Sequence, residues 1–215
     1  MKVEIWSDVV CPWCYIGKRR FERALEQFDG AADVEVEWRS FQLNPEHPRG
    51  VRESIETSLA AKIGGTVEQV REMNVRVTAL AAEEGLDYHF ERYQVVNTFD
   101  AHRLTHLAKA NGLGPVAHER LLRAQLVEGL ALDDTDTLVG LASEIGLPAP
   151  EARRVLEGDA FADDVVADLA LARSFGVSGV PFFVIDRRYG ISGAQPAELF
   201  LDALGTARAE AAATA

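Results

Sequence analysis

The stretch Cys11-Pro12-Trp13-Cys14 contains both cysteines of this 215-residue chain. Two thiols separated by two residues are typical of a pair that cycles between dithiol and disulfide. Two thiolates would fill only half of a tetrahedral zinc site, and no pair of histidines lies near them in the sequence. We therefore expect a redox site and no metal, with an ordinary pair of buried thiols or a partial metal site as the alternative.

The residues on either side of the two cysteines predict a β-α-β unit. Lys2–Ser7 is a short run that contains the β-forming residues Val3, Ile5 and Trp6, which favours a buried strand. Pro12 is tolerated in the first turn of a helix, and apolar residues recur at helical spacing over 13–28. Alternating apolar and charged residues predict a second strand over 34–41. Since such a unit has parallel strands, Cys11 falls at the carboxyl end of the first strand, where open α/β sheets bind ligands.

The position of Cys11 at a helix start suits thiol–disulfide exchange. The nucleophile in this chemistry is a thiolate, and the unpaired N–H groups of a helix N-terminus stabilise negative charge. The helix brings Cys14 back over Cys11 and turns it inward. We expect Cys11 to be exposed and to attack, and Cys14 to be shielded and to resolve the mixed disulfide.

Beyond residue 45 the pattern changes from strands to helices. Prolines and a glycine interrupt the sheet pattern over 43–50, and no convincing strand follows before about residue 155. Thr66 and Gln69 predict a capping box. Helical spacing of apolar residues predicts helices over 70–81, 97–109, 118–126 and 135–145.

The C-terminal part returns to a mixture of helix and strand. A helix is predicted over 160–175, followed by strands at Phe182–Ile185 and 189–193. A last helix is predicted over 196–204, and the alanine-rich tail at 210–215 is expected to fray.

Four blocks of sequence, in this order along the chain, resemble the thioredoxin superfamily. They are 7–14 (SDVVCPWC), 41–45 (FQLNP), 97–104 (NTFDAHRL) and 176–183 (GVSGVPFF). The resemblance is strongest to the DsbA-like branch that includes the FrnE-type oxidoreductases. It covers nearly the whole chain and implies an α/β thioredoxin fold with an inserted all-helical domain. The thioredoxin-like domain would comprise 1–45 and 156–215, and the helical domain 46–155.

The resemblance also implies a set of site residues. In this family a cis-proline precedes the third strand and faces the dithiol, which puts Val180 and Pro181 beside Cys11. Pro181 is then expected to act with the two cysteines in catalysis, while Pro12, Trp13 and Val180 contact the substrate. Trp13 stands where the DsbA archetype has a histidine and cannot supply the charge of that ring, so the direction of exchange stays open.

Two groups of the same superfamily define the alternative function, a glutathione-dependent isomerase or transferase of aromatic or polyketide metabolism. The 2-hydroxychromene-2-carboxylate isomerases and kappa-class glutathione transferases are similar to this chain at 97–104 and in the helical insertion. They typically carry one serine or cysteine in place of Cys11 and no resolving cysteine, so Cys14 favours redox exchange. The same resemblance implies that Asn97 and His102 line the cleft and bind substrate, with helix capping and packing as the alternative. Glutathione stays open as a co-substrate, and no other cofactor is expected.

Composition and charge limit the classes of partner that the sequence predicts. The formal net charge is -12 and the basic runs are short, so no nucleic-acid partner is expected. No apolar run approaches the ~18–20 residues of a membrane span, and the first six residues lack the apolar core of a signal peptide. We expect a cytoplasmic monomer or homodimer that acts on protein or small-molecule thiols and disulfides, without a membrane partner.

Two further assignments stay open at this point. Glu4 in the first strand either accepts a proton from Cys14 or lies at a solvated edge. His102 and His106 are one helical turn apart, and a structural role is favoured over metal binding because no third ligand is evident.

Overall fold

The computed structural model describes residues 1–214, with six strands and nine helices among them. The strands are β1 (Lys2–Ser7), β2 (Glu35–Ser40), β3 (Glu53–Ser54), β4 (Gln94–Val95), β5 (Phe182–Ile185) and β6 (Tyr189–Ser192). The helices are α1 (Pro12–Glu26), α2 (Ile55–Ile63), α3 (Val67–Glu83), α4 (Phe99–Ala110), α5 (Gly114–Leu126), α6 (Thr135–Glu144), α7 (Ala149–Glu157), α8 (Ala162–Ser174) and α9 (Ala197–Thr214). One 3-10 turn lies at Ala31–Asp33.

The main sheet has the strand order β2-β1-β5-β6. β1 and β2 are parallel, which confirms the predicted β-α-β unit, and β1 pairs antiparallel with β5. β6 extends the sheet as the antiparallel partner of β5. β1 is a central strand buried along nearly all of its length, as its apolar sequence predicts.

Helices cover both faces of this sheet. On one face α1 and α9 pack through an aromatic cluster in which the Phe183 and Phe200 rings lie 4.6 Å apart and Phe21 packs against both. On the other face α8 packs against Trp6, whose indole Nε1 donates to the Asp168 carbonyl at 3.0 Å. Because α1 is held by this core, the position of its N-terminal end at the carboxyl end of β1 is fixed.

The chain between β2 and α8 is mainly helical. The predicted helices in this segment are present, and Thr66 and Gln69 form the predicted capping box at the start of α3. The sequence prediction missed α2, which is short, and α7, whose first turn contains a proline that resembles a turn signal. It also missed the two-residue strands β3 and β4, which are too short to show an alternating pattern.

The C-terminal helix is longer than predicted. α9 continues to Thr214, so the prediction that the tail frays from residue 210 is wrong for 210–214, while Ala215 lies outside the described residues. Alanine and glutamate are strong helix formers, and Arg188 Nη2 holds Glu210 Oε2 at 3.1 Å. No helix within residues 1–214 is both long enough and apolar enough to cross a membrane.

Candidate active site

Both cysteines lie at the first turn of α1 and both are free thiols. Cys11 is the N-cap residue with an extended backbone, Pro12 is the first helical residue, and the Cys14 amide donates to the Cys11 carbonyl at 3.0 Å. Cys14 is fully buried, as expected. Cys11 is only 3% exposed, so the expectation of an open first thiol is wrong. Cys11 is buried because residues from the helical segment between β2 and α8 pack around it and help to close the cavity that it lines.

The loop before β5 forms another wall of the site. The Val180-Pro181 peptide bond is cis, and Cys11 Sγ donates to the Val180 carbonyl at 3.5 Å. Gly17 in α1 lies directly against the proline ring, because a Cβ added there would be 2.9 Å from Pro181 Cγ. The cis-proline loop and the first turns of α1 are therefore in direct contact. Trp13 lies at the rim of the cavity and is 39% exposed.

Two hydrogen-bond donors face the shielded thiol. Burial raises the pKa of Cys14 well above its ordinary value and nearby Cys11 raises it further, while the Ser7 hydroxyl and the Asp8 backbone N–H act in the opposite direction. Both donors stabilise the thiolate form of Cys14. They come from the end of β1 and the residue that follows it, directly before the dithiol turn.

The buried His118 is a hydrogen-bond partner of Ser7. Ser7 Oγ lies 2.8 Å from His118 Nε2, and the His118 ring stacks on Trp38 at 3.8 Å. His118 Nδ1 is buried without a hydrogen-bond partner. Burial holds the pKa of His118 well below its ordinary value, so the ring is neutral at physiological pH.

Two tyrosines fix the backbone around the cysteines. Tyr88 Oη donates to the Pro12 carbonyl at 2.7 Å, and Tyr93 Oη donates to the Val10 carbonyl. Burial raises the pKa of both phenols, which keeps them as neutral donors. The segment between α3 and α4 thus holds the turn that carries Cys11.

Asn97 and His102 do not line the cavity. Asn97 lies one residue before the N-cap of α4; its Oδ1 accepts from the Phe99 N–H at 2.9 Å, and its Nδ2 donates to the His47 carbonyl at 2.6 Å. His102 lies behind the wall, with Nε2 at 3.3 Å from Asp8 Oδ1. Their direct contact with substrate stays a prediction, and their observed contacts support the wall of the site.

Glu4 is engaged away from the dithiol. Arg39 Nη2 lies 2.6 Å and Arg187 Nε 2.9 Å from its carboxylate. Arg39 also binds Asp168 at 2.9 Å, so one buried ion network joins β1, β2 and α8. Burial alone would raise the pKa of Glu4, but its hydrogen bonds to the two arginines hold it below the ordinary value. The carboxylate is thus neither a solvated edge group nor a free acceptor for the Cys14 proton.

The histidine pair of α4 also has structural partners. His106 Nε2 lies 3.0 Å from Ser40 Oγ and 3.2 Å from Asp168 Oδ2, while His102 faces Asp8. Among residues 1–214 no group of three or more acidic, histidine or cysteine side chains is arranged to hold a metal ion.

A cavity of about 380 Å³ opens in front of Cys11. Small-molecule sites in proteins commonly measure ~300–1,000 Å³. Residues from the dithiol turn, the cis-proline loop, α2, α3 and the segment before α4 line it, and their side chains are mainly apolar. The apolar lining includes Leu43, Ile55, Leu59, Phe90, Val95 and Val96. The cavity can therefore hold a small molecule with its reacting sulfur against Cys11.

Sequence reasoning missed several members of this site. Ser7 belongs to a motif that was recognised, four residues before Cys11, but no local signal marks its contact with Cys14. Tyr88, Tyr93 and His118 come from the helical segment and are joined to the site only by the tertiary fold.

The sheet order, the helix that begins at the two cysteines and the cis-proline loop beside it define a thioredoxin fold. The chain belongs to the DSBA-like thioredoxin domain family, whose model matches residues 2–205. This confirms the α/β thioredoxin fold that the four sequence blocks implied. Membership of this family supports a redox enzyme at the general level.

Solved structures similar to this chain include the following three. Probable DsbA oxidoreductase SCO1869 from Streptomyces coelicolor is 45% identical, with a TM-score of 0.95 over 98% of this chain and 91% of that chain. 2-Hydroxychromene-2-carboxylate isomerase is 14% identical, with a TM-score of 0.72 over 100% of each chain. The cytosolic disulfide reductase DsbM from Pseudomonas aeruginosa, solved with GSH, is 20% identical, with a TM-score of 0.68 over 96% of this chain and 98% of that chain. The latter two show the shared fold alone.

Proposed function

We propose that this protein is a thiol–disulfide oxidoreductase that exchanges a Cys11-Cys14 dithiol or disulfide with thiol or disulfide substrates. The observation that carries the proposal is the pair of thiols at the first turn of α1, in which Cys14 is fully buried as a second thiol and Cys11 contacts the carbonyl before the cis-proline. An isomerase or transferase that uses one thiol or hydroxyl has no need of a second thiol. Because the isomerase fold is shared, the fold itself does not separate the two functions.

The reaction proceeds by two displacements at sulfur. The Cys11 thiolate attacks a substrate disulfide, forming a mixed disulfide and releasing one substrate thiolate. Cys14 then attacks Cys11 Sγ, which forms the Cys11–Cys14 bond and releases the second substrate sulfur, and the proton from Cys14 passes to a departing thiolate. The protein loses two electrons and the substrate gains them. The reverse sequence oxidises a substrate dithiol.

Reduced glutathione is our candidate for the thiol that regenerates the dithiol. The support is a structural relative, DsbM, whose solved structure contains GSH and which is described as cytosolic. We accordingly place this protein in the cytoplasm as part of the same proposal.

The test compares wild type with Cys11→Ser and Cys14→Ser in reduction of insulin disulfides by glutathione. Cys11→Ser is expected to abolish turnover, and Cys14→Ser to accumulate a mixed disulfide at Cys11 that mass spectrometry detects. Unchanged turnover in Cys11→Ser would refute the proposal. Glutathione-dependent isomerisation that survives Cys14→Ser would establish the alternative instead.

A further inference from the structure

The cavity in front of Cys11 restricts what can reach the sulfur. Cys11 is 3% exposed, and its thiol borders the cavity between the dithiol turn, the cis-proline loop and the helical segment. A low-molecular-weight disulfide or thiol fits a cavity of about 380 Å³.

Two polar side chains of the cavity wall have unused binding capacity. Asn74 Nδ2 is buried and has no hydrogen-bond partner, which is costly unless a ligand supplies an acceptor. Lys62, at the end of α2, is an exposed residue that borders the cavity, and it makes no ion pair with any carboxylate among residues 1–214. Both groups are donors, and both favour an oxygen-rich or anionic ligand group.

The one carboxylate among the described residues that line the cavity, that of Asp8, already has hydrogen-bond partners within the protein. Asp8 Oδ2 accepts from the Leu43 N–H at 2.8 Å, and its Oδ1 lies 3.3 Å from His102 Nε2. Asp8 and Lys62 are the charged residues among those that line the cavity in the described chain. Both oxygens of the Asp8 carboxylate already have partners within the protein, so Lys62 is the charged group of the lining that is available to bind a ligand.

We propose that this cavity binds a low-molecular-weight thiol or disulfide that has an apolar body and one carboxylate. The apolar body packs against side chains such as Ile55, Leu59 and Phe90, and the carboxylate binds Lys62. The Asn74 amide donates to an oxygen of the same ligand. This inference rests on the redox function proposed above and names its substrate class.

A ligand of this class that carries two thiols can reduce the Cys11–Cys14 disulfide in two displacements. One substrate thiolate attacks Cys11 Sγ of the protein disulfide, the Cys11–Cys14 bond breaks, and Cys14 leaves as a thiolate. The second substrate sulfur then attacks its partner in the mixed disulfide and releases Cys11. The substrate loses two electrons and becomes a disulfide, and its two thiol protons end on Cys11 and Cys14.

Dihydrolipoic acid and dihydrolipoamide are matched probes, because they share an apolar chain and a dithiol and differ in the carboxylate. The full-length protein, oxidised to its disulfide, is mixed with each probe, and reduction is followed by tryptophan fluorescence and by thiol alkylation with mass spectrometry. The acid is expected to give saturating kinetics with a half-saturation concentration about three- to fivefold lower than the amide, the range of a partly exposed ion pair. Dithiothreitol, which lacks the apolar body, is expected to react linearly with concentration.

Variants then assign the preference to the cavity. Lys62→Met is expected to raise the half-saturation concentration of the acid to that of the amide, and Lys62→Arg to preserve the difference. Asn74→Leu is expected to weaken both probes. Arg76→Met, at an exposed position of α3 outside the cavity wall, is the control and should change neither.

The inference would be overturned if dihydrolipoic acid and dihydrolipoamide reduced the protein at equal rates that rise linearly with concentration. Unchanged insulin reduction in the same preparation would show that the proposed redox function still holds. An acid preference that persists in Lys62→Met would also overturn it. Failure of the proposed redox function gives a different result: the protein would not reduce insulin, although dithiothreitol would still reduce the Cys11–Cys14 disulfide.

Discussion

Ser7 Oγ lies 2.8 Å from His118 Nε2, and the same hydroxyl is a hydrogen-bond partner of the buried Cys14 thiol. His118 Nδ1 is buried without a partner, and an orphaned acceptor nitrogen is tolerated better than an orphaned N–H. We therefore assign the ring proton to Nε2, which donates to Ser7 while Ser7 donates to the Cys14 thiolate. The neutral histidine thus orients the serine hydroxyl toward the sulfur.

Ser7→Ala is expected to slow the attack of Cys14 on the mixed disulfide about tenfold, because a hydrogen bond to a charged group contributes ~1.5 kcal/mol or more. The measurement is the decay of a mixed disulfide prepared at Cys11. Ser40→Ala is the matched control, since Ser40 pairs with Ser7 across the strands and also contacts a histidine, at 3.0 Å, but belongs to the His106 cluster. Equal decay rates in the two variants would contradict the assignment.

Gly17→Ala is expected to impair both stability and redox turnover. Its Cβ would lie 2.9 Å from Pro181 Cγ and 3.4 Å from Ala194 Cβ, so the cis-proline loop must move away from α1. Gly140→Ala is the control, because Gly140 also lies within a helix but has open space around it. Alanine there should stabilise the protein by up to ~1 kcal/mol through helix propensity. Thermal unfolding together with insulin turnover tests both, and a Gly17→Ala protein as stable and active as wild type would refute the packing argument.

Acid is expected to destabilise the protein through Glu119. Burial alone would raise its pKa, but hydrogen bonds from Arg19, Lys18 and Tyr15 outweigh this and hold the pKa at about 2, below the ordinary 4.5. A carboxyl whose pKa is lower in the folded state contributes stability above pH ~4.5 that is lost as the pH falls toward ~2. One such group contributes a slope of at most ~1.4 kcal/mol per pH unit.

The measurement is urea unfolding between pH 5 and pH 2.5. Glu119→Gln is expected to be less stable than wild type at pH 5 and to show a shallower loss of unfolding free energy with acid. Glu72→Gln, at an exposed position of α3, is the control and should follow wild type. Parallel pH profiles for wild type and Glu119→Gln would contradict the prediction.

Arg103→Lys is expected to destabilise the protein by ~2–4 kcal/mol. The buried guanidinium donates to the carbonyls of Val155, Gly158 and Ala160 around the end of α7, and a lysine ammonium cannot reach all of them in this fork geometry. Arg153→Lys, in the same helix but with a side chain that is 43% exposed, should change the unfolding free energy by less than ~0.5 kcal/mol. Chemical denaturation compares the two, and similar effects at both positions would refute the capping role.

Much of the fold follows from local patterns in the sequence. β1, α1 and β2 were predictable because apolar alternation, helical spacing and Pro12 act over a few residues. The short strands β3 and β4 were not, because two residues carry no period and pair only when distant segments meet. The burial of Cys11 was not predictable for the same reason, because the residues that cover it come from distant segments of the chain.

Local sequence patterns are enough to predict the dithiol turn, its place after β1 and the family to which the chain belongs. The surroundings of the two sulfurs depend on how distant segments pack. Ser7 and His118 are 111 residues apart, and Tyr88 reaches the Pro12 carbonyl across 76 residues. The physical reason is that backbone propensity is a property of neighbours in the chain, whereas burial, hydrogen-bond partners and a cavity arise only when distant segments pack together.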